Sequence, residues 1–144
     1  MAGATLYLDS SALVKLVLPE RETAALLEIL DAWPIRATSE LARVEVLRAA
    51  RRAASDPAAG GRAEAVLAGL HLIRLDDEIL SRAAALEPRT LKSLDALHLA
   101  SALTLGEDLG AMAIYDSAMA TASAALGIAV IAPRVRAPRE SIPP

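Results

Sequence analysis

Four acidic residues lie where their carboxylates can do chemistry together: Asp9, Glu45, Asp95 and Asp116. Each stands in an apolar stretch, at the end of a predicted strand or near the start of a predicted helix. Carboxylates that converge without neighbouring bases repel one another and raise their own pKa values unless a cation neutralises them. Such a group is suited to a divalent metal ion, which can activate water for attack on a phosphodiester.

The available ligands favour Mg²⁺ or Mn²⁺ over zinc. The donors are all oxygen atoms, which these hard ions prefer. The chain has no cysteine, and neither His71 nor His98 has a second histidine at the spacing of zinc ligands. The lack of cysteine also excludes disulfides and cysteine nucleophiles, and it fits a reducing compartment.

The four acids can meet only if the fold brings them to one edge. Short β-type runs alternate with longer helical runs, which is typical of a parallel α/β sheet. The predicted strands span residues 5–8, 35–38, 72–75, 111–115 and 128–131, and residues 56–61 are predicted to form a loop. In the strand order 3-2-1-4-5 the first and fourth strands are neighbours, and Asp9 and Asp116 face the crevice beyond their carboxyl ends.

Each acid also has an ordinary structural explanation. Asp9 and Asp116 can be N-caps of the helices that follow them, and Asp95 can be an acid favoured by the helix dipole in a first turn. Glu45 can be a solvated helix residue. These explanations require four independent coincidences at one sheet edge, so the set as a whole favours a shared site.

Composition limits the classes of function. Of 144 residues, 54% are hydrophobic and 23% charged, which predicts one compact domain and argues against long disorder. Aromatic residues make up only 2%, so an aromatic base-stacking platform is hard to build. We predict no secretory signal and no membrane segment, and therefore a cytoplasmic protein. The apolar excess predicts that another chain covers part of the surface, while a net charge of −3 does not favour a nucleic-acid partner.

Four segments, taken in order, resemble a PIN domain and more narrowly the VapC toxins of bacterial toxin–antitoxin pairs. They are LYLDSSALVKL at residues 6–16, SELARVEVLRA at 39–49, SLDALHLA at 93–100 and YD at 115–116. The resemblance covers essentially the whole chain. It implies a three-layer α/β/α domain over residues 1–133, with a central parallel sheet of four to five strands in the order 3-2-1-4-5, and an irregular tail at 134–144.

The same resemblance implies an activity and partners. It implies an endoribonuclease that depends on Mg²⁺ or Mn²⁺, a homodimer, and a cognate VapB-type antitoxin that covers the site. Its catalytic residues and metal ligands would be the acidic quartet Asp9, Glu45, Asp95 and Asp116.

Several other polar residues have a stronger structural than functional interpretation. We predict that Ser10 or Ser11 caps the first helix and that the Asp76-Asp77 pair caps a later one. Glu40 is predicted to be a surface acid at a helix start, and His98 a packed, hydrogen-bonded core residue. A basic run on the helix of Glu45 is either a solvated face or a phosphate-contacting one; its members are Arg43, Arg48, Arg51 and Arg52.

Three alternatives remain open at this stage. A phospho-accepting receiver domain has a similar size and acidic cluster, but it should have a lysine just past its final strand, where Pro133 and Arg134 stand. A phosphoaspartyl hydrolase needs a second aspartate two residues after Asp9, at the position of Ser11. The third alternative is a PIN scaffold that has lost its activity.

Overall fold

The computed structural model describes residues 2–134, and these form a three-layer structure around a parallel sheet. The strands of this part of the chain are β1 (Thr5–Leu8), β2 (Ile35–Ser39), β3 (His71–Ile73), β4 (Leu109–Ala113) and β5 (Val130–Ile131). They lie in the order β3-β2-β1-β4-β5, which confirms the predicted order. β1 is therefore the central strand, paired with β2 on one side and β4 on the other.

Seven α-helices in the described residues cover the two faces of the sheet. They are α1 (Ser10–Val17), α2 (Thr23–Leu30), α3 (Leu41–Arg52), α4 (Ala59–Ala68), α5 (Asp77–Ala85), α6 (Ser93–Leu103) and α7 (Ser117–Ala125). Helices α1 to α4 share one apolar core with the sheet, and α6 and α7 share a second core with its opposite face. Helix α5 packs on α6 in a smaller cluster. The predicted three-layer α/β/α arrangement is confirmed.

The central strand reads as a continuous apolar run because both of its faces are covered. Leu6 and Leu8 point into the core beneath α1 to α4, whereas Tyr7 points into the core beneath α6 and α7. All three side chains are fully buried. Because side chains alternate along a strand, the residues at the end of β1 are placed with fixed orientation at the sheet edge.

The fourth strand begins and ends two residues earlier than the sequence predicted. Thr5 is paired with Leu109 and Leu6 with Ala111, so the register between β1 and β4 shifts at Gly110. Leu109 is thereby paired within the sheet, and Tyr115 lies beyond the last residue of β4. The pairing with the neighbouring strand decides where a short strand begins and ends. That neighbour is distant in the sequence, so the local pattern does not predict these ends.

The prediction of a loop over residues 56–61 is wrong at its end, because Gly60 and Gly61 lie in the first turns of α4. Ala59, Ala63 and Leu67 are buried at a spacing of four residues, which gives α4 an apolar stripe. Packing of this stripe outweighs the roughly 1 kcal/mol per residue by which glycine disfavours a helix.

The tail predicted at residues 134–144 lies, apart from Arg134, outside the described residues. Between residues 2 and 134, no helix is long and apolar enough to cross a membrane.

Gly110 is the position where we expect a single added methyl group to damage the fold. A Cβ atom there would lie 2.2 Å from the carbonyl oxygen of Gly3 and 2.5 Å from the indole ring of Trp33. We predict that Gly110→Ala lowers the free energy of unfolding by about 1–3 kcal/mol or more, as overpacking does. The measurement is urea denaturation.

Gly60→Ala is the matched control, because a Cβ atom at Gly60 meets nothing within 4 Å. Alanine is the better helix former, so this variant should be more stable by about 0.4–1 kcal/mol. Equal stabilities for the two variants would contradict the close packing at Gly110.

Candidate active site

The four acids are carried to the carboxyl edge of the sheet by four different elements. Asp9 follows β1 directly, and Asp116 lies three residues after the neighbouring strand β4. Helix α3 starts two residues after β2 and carries Glu45 in its second turn. Helix α6 leads back to the start of β4, so its first turn, with Asp95, lies at the same edge.

Asp9 is a buried carboxylate with fixed orientation. The residue as a whole is only 3% exposed. Its Oδ1 atom accepts the backbone N–H of Ala12 at 3.1 Å and the hydroxyl of Ser11 at 2.6 Å. Burial raises the pKa of Asp9 to about 6, against the opposing effect of these hydrogen bonds, and the negative charge of Asp95 adds to the rise.

Ser11 ties the Asp9 segment to the Asp116 segment. Its hydroxyl donates to Asp9 and accepts the backbone N–H of Tyr115 at 2.9 Å. The predicted capping role of Ser10 or Ser11 is therefore wrong, since both lie inside α1 and Asp9 is the N-cap. The hydroxyl instead bridges the two chain segments that leave the neighbouring strands β1 and β4.

Asp95 is the acid that couples electrostatically to the other three. Partial burial raises its pKa first, and the negative charges of Asp116 and Glu45 raise it further, while His98 and Lys92 act in the opposite direction. Asp95 in turn raises the pKa of Asp9. Asp95 therefore lies within electrostatic reach of each of the other three carboxylates.

Asp116 and Glu45 each use one carboxylate oxygen locally. Asp116 is exposed and caps α7, its Oδ1 atom accepting the backbone N–H of Met119 at 2.8 Å. Glu45, with a side chain 19% exposed, has its Oε1 atom 2.6 Å from Nε2 of His98. In both carboxylates the second oxygen has no protein hydrogen-bond partner among residues 2–134.

The four acids offer only oxygen donors, the type that hard ions such as Mg²⁺ and Mn²⁺ prefer. Within the part of the chain that the structure describes, no lysine or arginine forms an ion pair with any of the four acids. Lys92 and His98 offset only part of the effect that burial and the neighbouring acids have on the pKa of Asp95. No three of the described carboxylate or imidazole groups are close enough together to hold one ion between them. Mg²⁺ is commonly held by one or two carboxylates, with waters completing its shell.

The remaining sequence predictions have mixed outcomes. Asp76 caps α5 through the N–H of Ile79 at 2.9 Å, as predicted. His98 is a hydrogen-bonded core residue, as predicted, but its bond to Glu45 was not. Glu40 is no simple surface acid, because its Oε1 atom accepts the backbone N–H of Leu75 at 2.8 Å.

The arginines of α3 are exposed, as a solvated or phosphate-contacting face requires. Among the described residues none of them has an ion-pair partner; they are Arg43, Arg48, Arg51 and Arg52. By contrast, Lys15 pairs with Glu20 and Glu22, and Arg62 with Asp56.

Comparison with known proteins places this arrangement in a family. The sequence profile of the PIN domain matches residues 6–123. Three similar proteins come from Mycobacterium tuberculosis. Ribonuclease VapC46 is 48% identical over 90% of this chain and 98% of its own length. Ribonuclease VapC35 is 42% identical and Ribonuclease VapC47 36% identical, each over 89% of this chain and 96% of its own length. The chain therefore belongs to the PIN-domain family.

Proposed function

We propose that this protein is a metal-dependent endoribonuclease and the toxin of a VapBC-type toxin–antitoxin pair. The observation that carries the proposal is the set of carboxylates that interact electrostatically through Asp95 and that, among residues 2–134, form no ion pair with a lysine or arginine. The similar proteins named above are VapC-type ribonucleases, and this chain aligns with nearly their whole length. Hydrolysis of RNA by such a protein would take place in the cytoplasm.

We assign the metal to the acidic quartet Asp9, Glu45, Asp95 and Asp116. When bound, Mg²⁺ or Mn²⁺ would lower the pKa of a bound water and offset the charge that develops on the phosphodiester. Asp9 contributes a carboxylate that Ser11 and Ala12 hold in one orientation. Asp95 contributes the carboxylate that interacts electrostatically with each of the other three. Glu45 and Asp116 each offer the carboxylate oxygen that their local hydrogen bond does not use.

The protein surface tolerates an RNA substrate despite its negative net charge. The formal net charge of −3 includes the four acids, so neutralising them leaves about +1 on the rest of the chain. Arg48 and Arg52 lie one and two turns beyond Glu45 on α3, on the same side of the helix. Among residues 2–134 their guanidinium groups have no ion-pair partner, and they can contact phosphates on either side of the cleaved bond.

We propose two protein partners, a second copy of the chain and a VapB-type antitoxin. Large apolar side chains remain exposed on the isolated chain; they are Leu27, Ile35, Val44, Leu80, Leu94 and Leu126. A groove of about 1020 Å³ between α3 and α4 is lined by apolar Val44 and Leu47 and by Arg43 and Arg48. A mainly apolar groove of this kind, with both arginines and acidic residues in its lining and with one wall on the helix that carries Glu45, suits a peptide segment of the antitoxin.

The first test of the activity is RNA cleavage by the purified chain. We expect cleavage of total RNA with added Mg²⁺ or Mn²⁺ and none in excess EDTA. Asp95→Asn should lower the cleavage rate at least about 100-fold, because it removes one negatively charged ligand of the proposed metal site. Without metal, the variant should be as stable as the parent protein or more so, since repulsion is relieved. Cleavage fragments resolved by primer extension and thermal melts in EDTA provide both measurements.

Asp76→Ala is the matched control, because Asp76 is a cap outside the quartet. It should cost about 0.5–2 kcal/mol of stability and leave cleavage unchanged. An active Asp95→Asn protein, or full activity in EDTA, would show that the site has been misassigned.

The burial of Asp9 predicts how metal-free stability depends on pH. The folded-state pKa of Asp9, about 6, lies above the ordinary value of 3.8. The folded state therefore binds this proton more tightly, and the resulting stabilisation is present below pH 4 and lost as the pH rises through 6. We expect Asp9→Asn, which keeps the acceptor for Ser11 and Ala12, to be about 1–3 kcal/mol more stable than the parent above pH 7.

The gain from Asp9→Asn should disappear near pH 4, where both proteins are neutral at this position. Denaturation in EDTA at pH 4, 6 and 8 measures it. A difference between the two proteins that does not change with pH would contradict the assignment of the shift to Asp9.

The partner proposal predicts the composition of the purified protein. We expect light scattering to give a dimer, and the product of the reading frame directly upstream to co-purify with it. Val44→Asp should weaken that co-purification because it introduces a charge into the apolar groove, whereas Leu126→Asp, on an exposed residue outside the groove, should not. A monomer at high concentration that retains no partner would refute the proposal.

A further inference from the structure

A buried hydrogen-bonded chain lies directly behind the acidic quartet. His98 is only 1% exposed, and both of its ring nitrogens have partners. Nδ1 lies 2.7 Å from the hydroxyl of Tyr7, and Nε2 lies 2.6 Å from Oε1 of Glu45. The Tyr7 ring meets the imidazole edge-on at an angle of 78°. The imidazole is therefore held by a ring contact and by hydrogen bonds at both ends.

The chemistry of the partners sets the direction of these hydrogen bonds. An ionised carboxylate only accepts, so Nε2 of His98 carries a hydrogen and donates it to Glu45. A phenol is protonated at neutral pH, and burial raises the pKa of Tyr7 further. In a neutral ring that carries its hydrogen on Nε2, Nδ1 accepts the hydrogen bond of the Tyr7 hydroxyl. Donation then runs in one direction, from Tyr7 through His98 to Glu45.

The chain connects the elements that carry three of the four acids. Tyr7 lies two residues before Asp9 on β1, and His98 lies one turn after Asp95 on α6. Glu45 lies on α3, which packs on the opposite face of the sheet from α6. The bond between Glu45 and His98 thus joins the two helical layers at the sheet edge.

Glu45 needs support that its own helix does not provide. Asp9 is fixed by two bonds from its own helix, and Asp116 by its cap on α7. Glu45 has a longer side chain in a helix interior and, among residues 2–134, its hydrogen bond comes from His98. Without that donor, its rotamers would be free and its carboxylate would be repelled by Asp95.

We propose that His98 is a positioning residue, which Tyr7 orients and which holds the Glu45 carboxylate toward the metal site with one oxygen left free. This inference rests on the proposed metal-dependent function. It adds to the quartet a residue that touches neither metal nor RNA. Groups that orient ligands in this way commonly affect metal affinity about 10–100-fold.

The test measures Mn²⁺ binding by the full chain without RNA, by calorimetry. We expect His98→Leu, which fills the site but cannot donate, to weaken Mn²⁺ binding about 10–100-fold. His98→Gln places an amide N–H near the position of Nε2 and should restore most of that affinity. Tyr7→Phe keeps the ring and should weaken binding less than His98→Leu does.

A stability control separates positioning from general damage. Ser123 is fully buried on α7, and its hydroxyl donates to the carbonyl of Met119 at 2.8 Å. Ser123→Ala should lower the melting temperature and leave Mn²⁺ affinity unchanged. If His98→Leu does not fold, the comparison of His98→Gln and Tyr7→Phe with Ser123→Ala carries the test.

The ring tautomer gives a spectroscopic readout that does not depend on metal. The chain has two histidines, and His71→Gln identifies the signals of the other. We expect ¹⁵N NMR of metal-free protein to show a hydrogen on Nε2 of His98 and none on Nδ1. A hydrogen on Nδ1 alone would overturn the direction of donation and with it the proposal.

The outcomes also distinguish this inference from the proposed function. If the parent protein binds no Mn²⁺, the metal assignment fails. If the parent binds Mn²⁺, Asp95→Asn does not, and His98→Leu binds as the parent does, only the positioning role fails. Weaker binding by His98→Leu with recovery in His98→Gln supports both.

Discussion

The structure depends on one buried carboxylate, that of Asp9, at the end of the central strand and the start of α1. Asp9 ends the central strand of the sheet and is 3% exposed, and its Oδ1 atom is the N-cap of α1. Burial favours the neutral form and the cap favours the charged one. Among residues 2–134 no lysine or arginine forms an ion pair with Asp9. A cation bound by Asp9 together with the neighbouring acids would stabilise its charged form.

Capping and metal binding are usually treated as competing explanations for an aspartate at a helix start. Here they are compatible, because a cap uses one carboxylate oxygen. Oδ1 of Asp116 accepts the N–H of Met119, and Oδ1 of Asp9 accepts that of Ala12. Each Oδ2 atom has no hydrogen-bond donor among residues 2–134. The cap also fixes the rotamer, and the positive helix end favours the ionised form that a metal ligand needs. The structural role thus prepares the chemical one.

The sequence predicted those features that depend on local pattern and on the rules of parallel sheets. The strand order and the placement of the acids at one edge follow from alternating apolar runs and helix-start signals. It did not predict the start of β4, which its pairing with β1 decides. The bond between Glu45 and His98 spans 53 residues and two helical layers, and no local pattern encodes it.

The composition makes Tyr7 informative. The chain has no phenylalanine and three aromatic residues, and its core is built from alanine, leucine and other aliphatic side chains. Trp33 and Tyr115 are only partly buried, so Tyr7 is the one aromatic side chain that the core encloses completely.

Packing alone does not explain a tyrosine at this position, because phenylalanine would fill the same space without a hydroxyl to bury. A buried hydroxyl is tolerated only where it is hydrogen-bonded. His98 is one of its partners, and the other ring nitrogen of His98 lies against Glu45. The Tyr7 hydroxyl and the His98 ring therefore form a hydrogen-bonded connection that leads to Glu45 of the acidic site. The aliphatic core encloses both side chains.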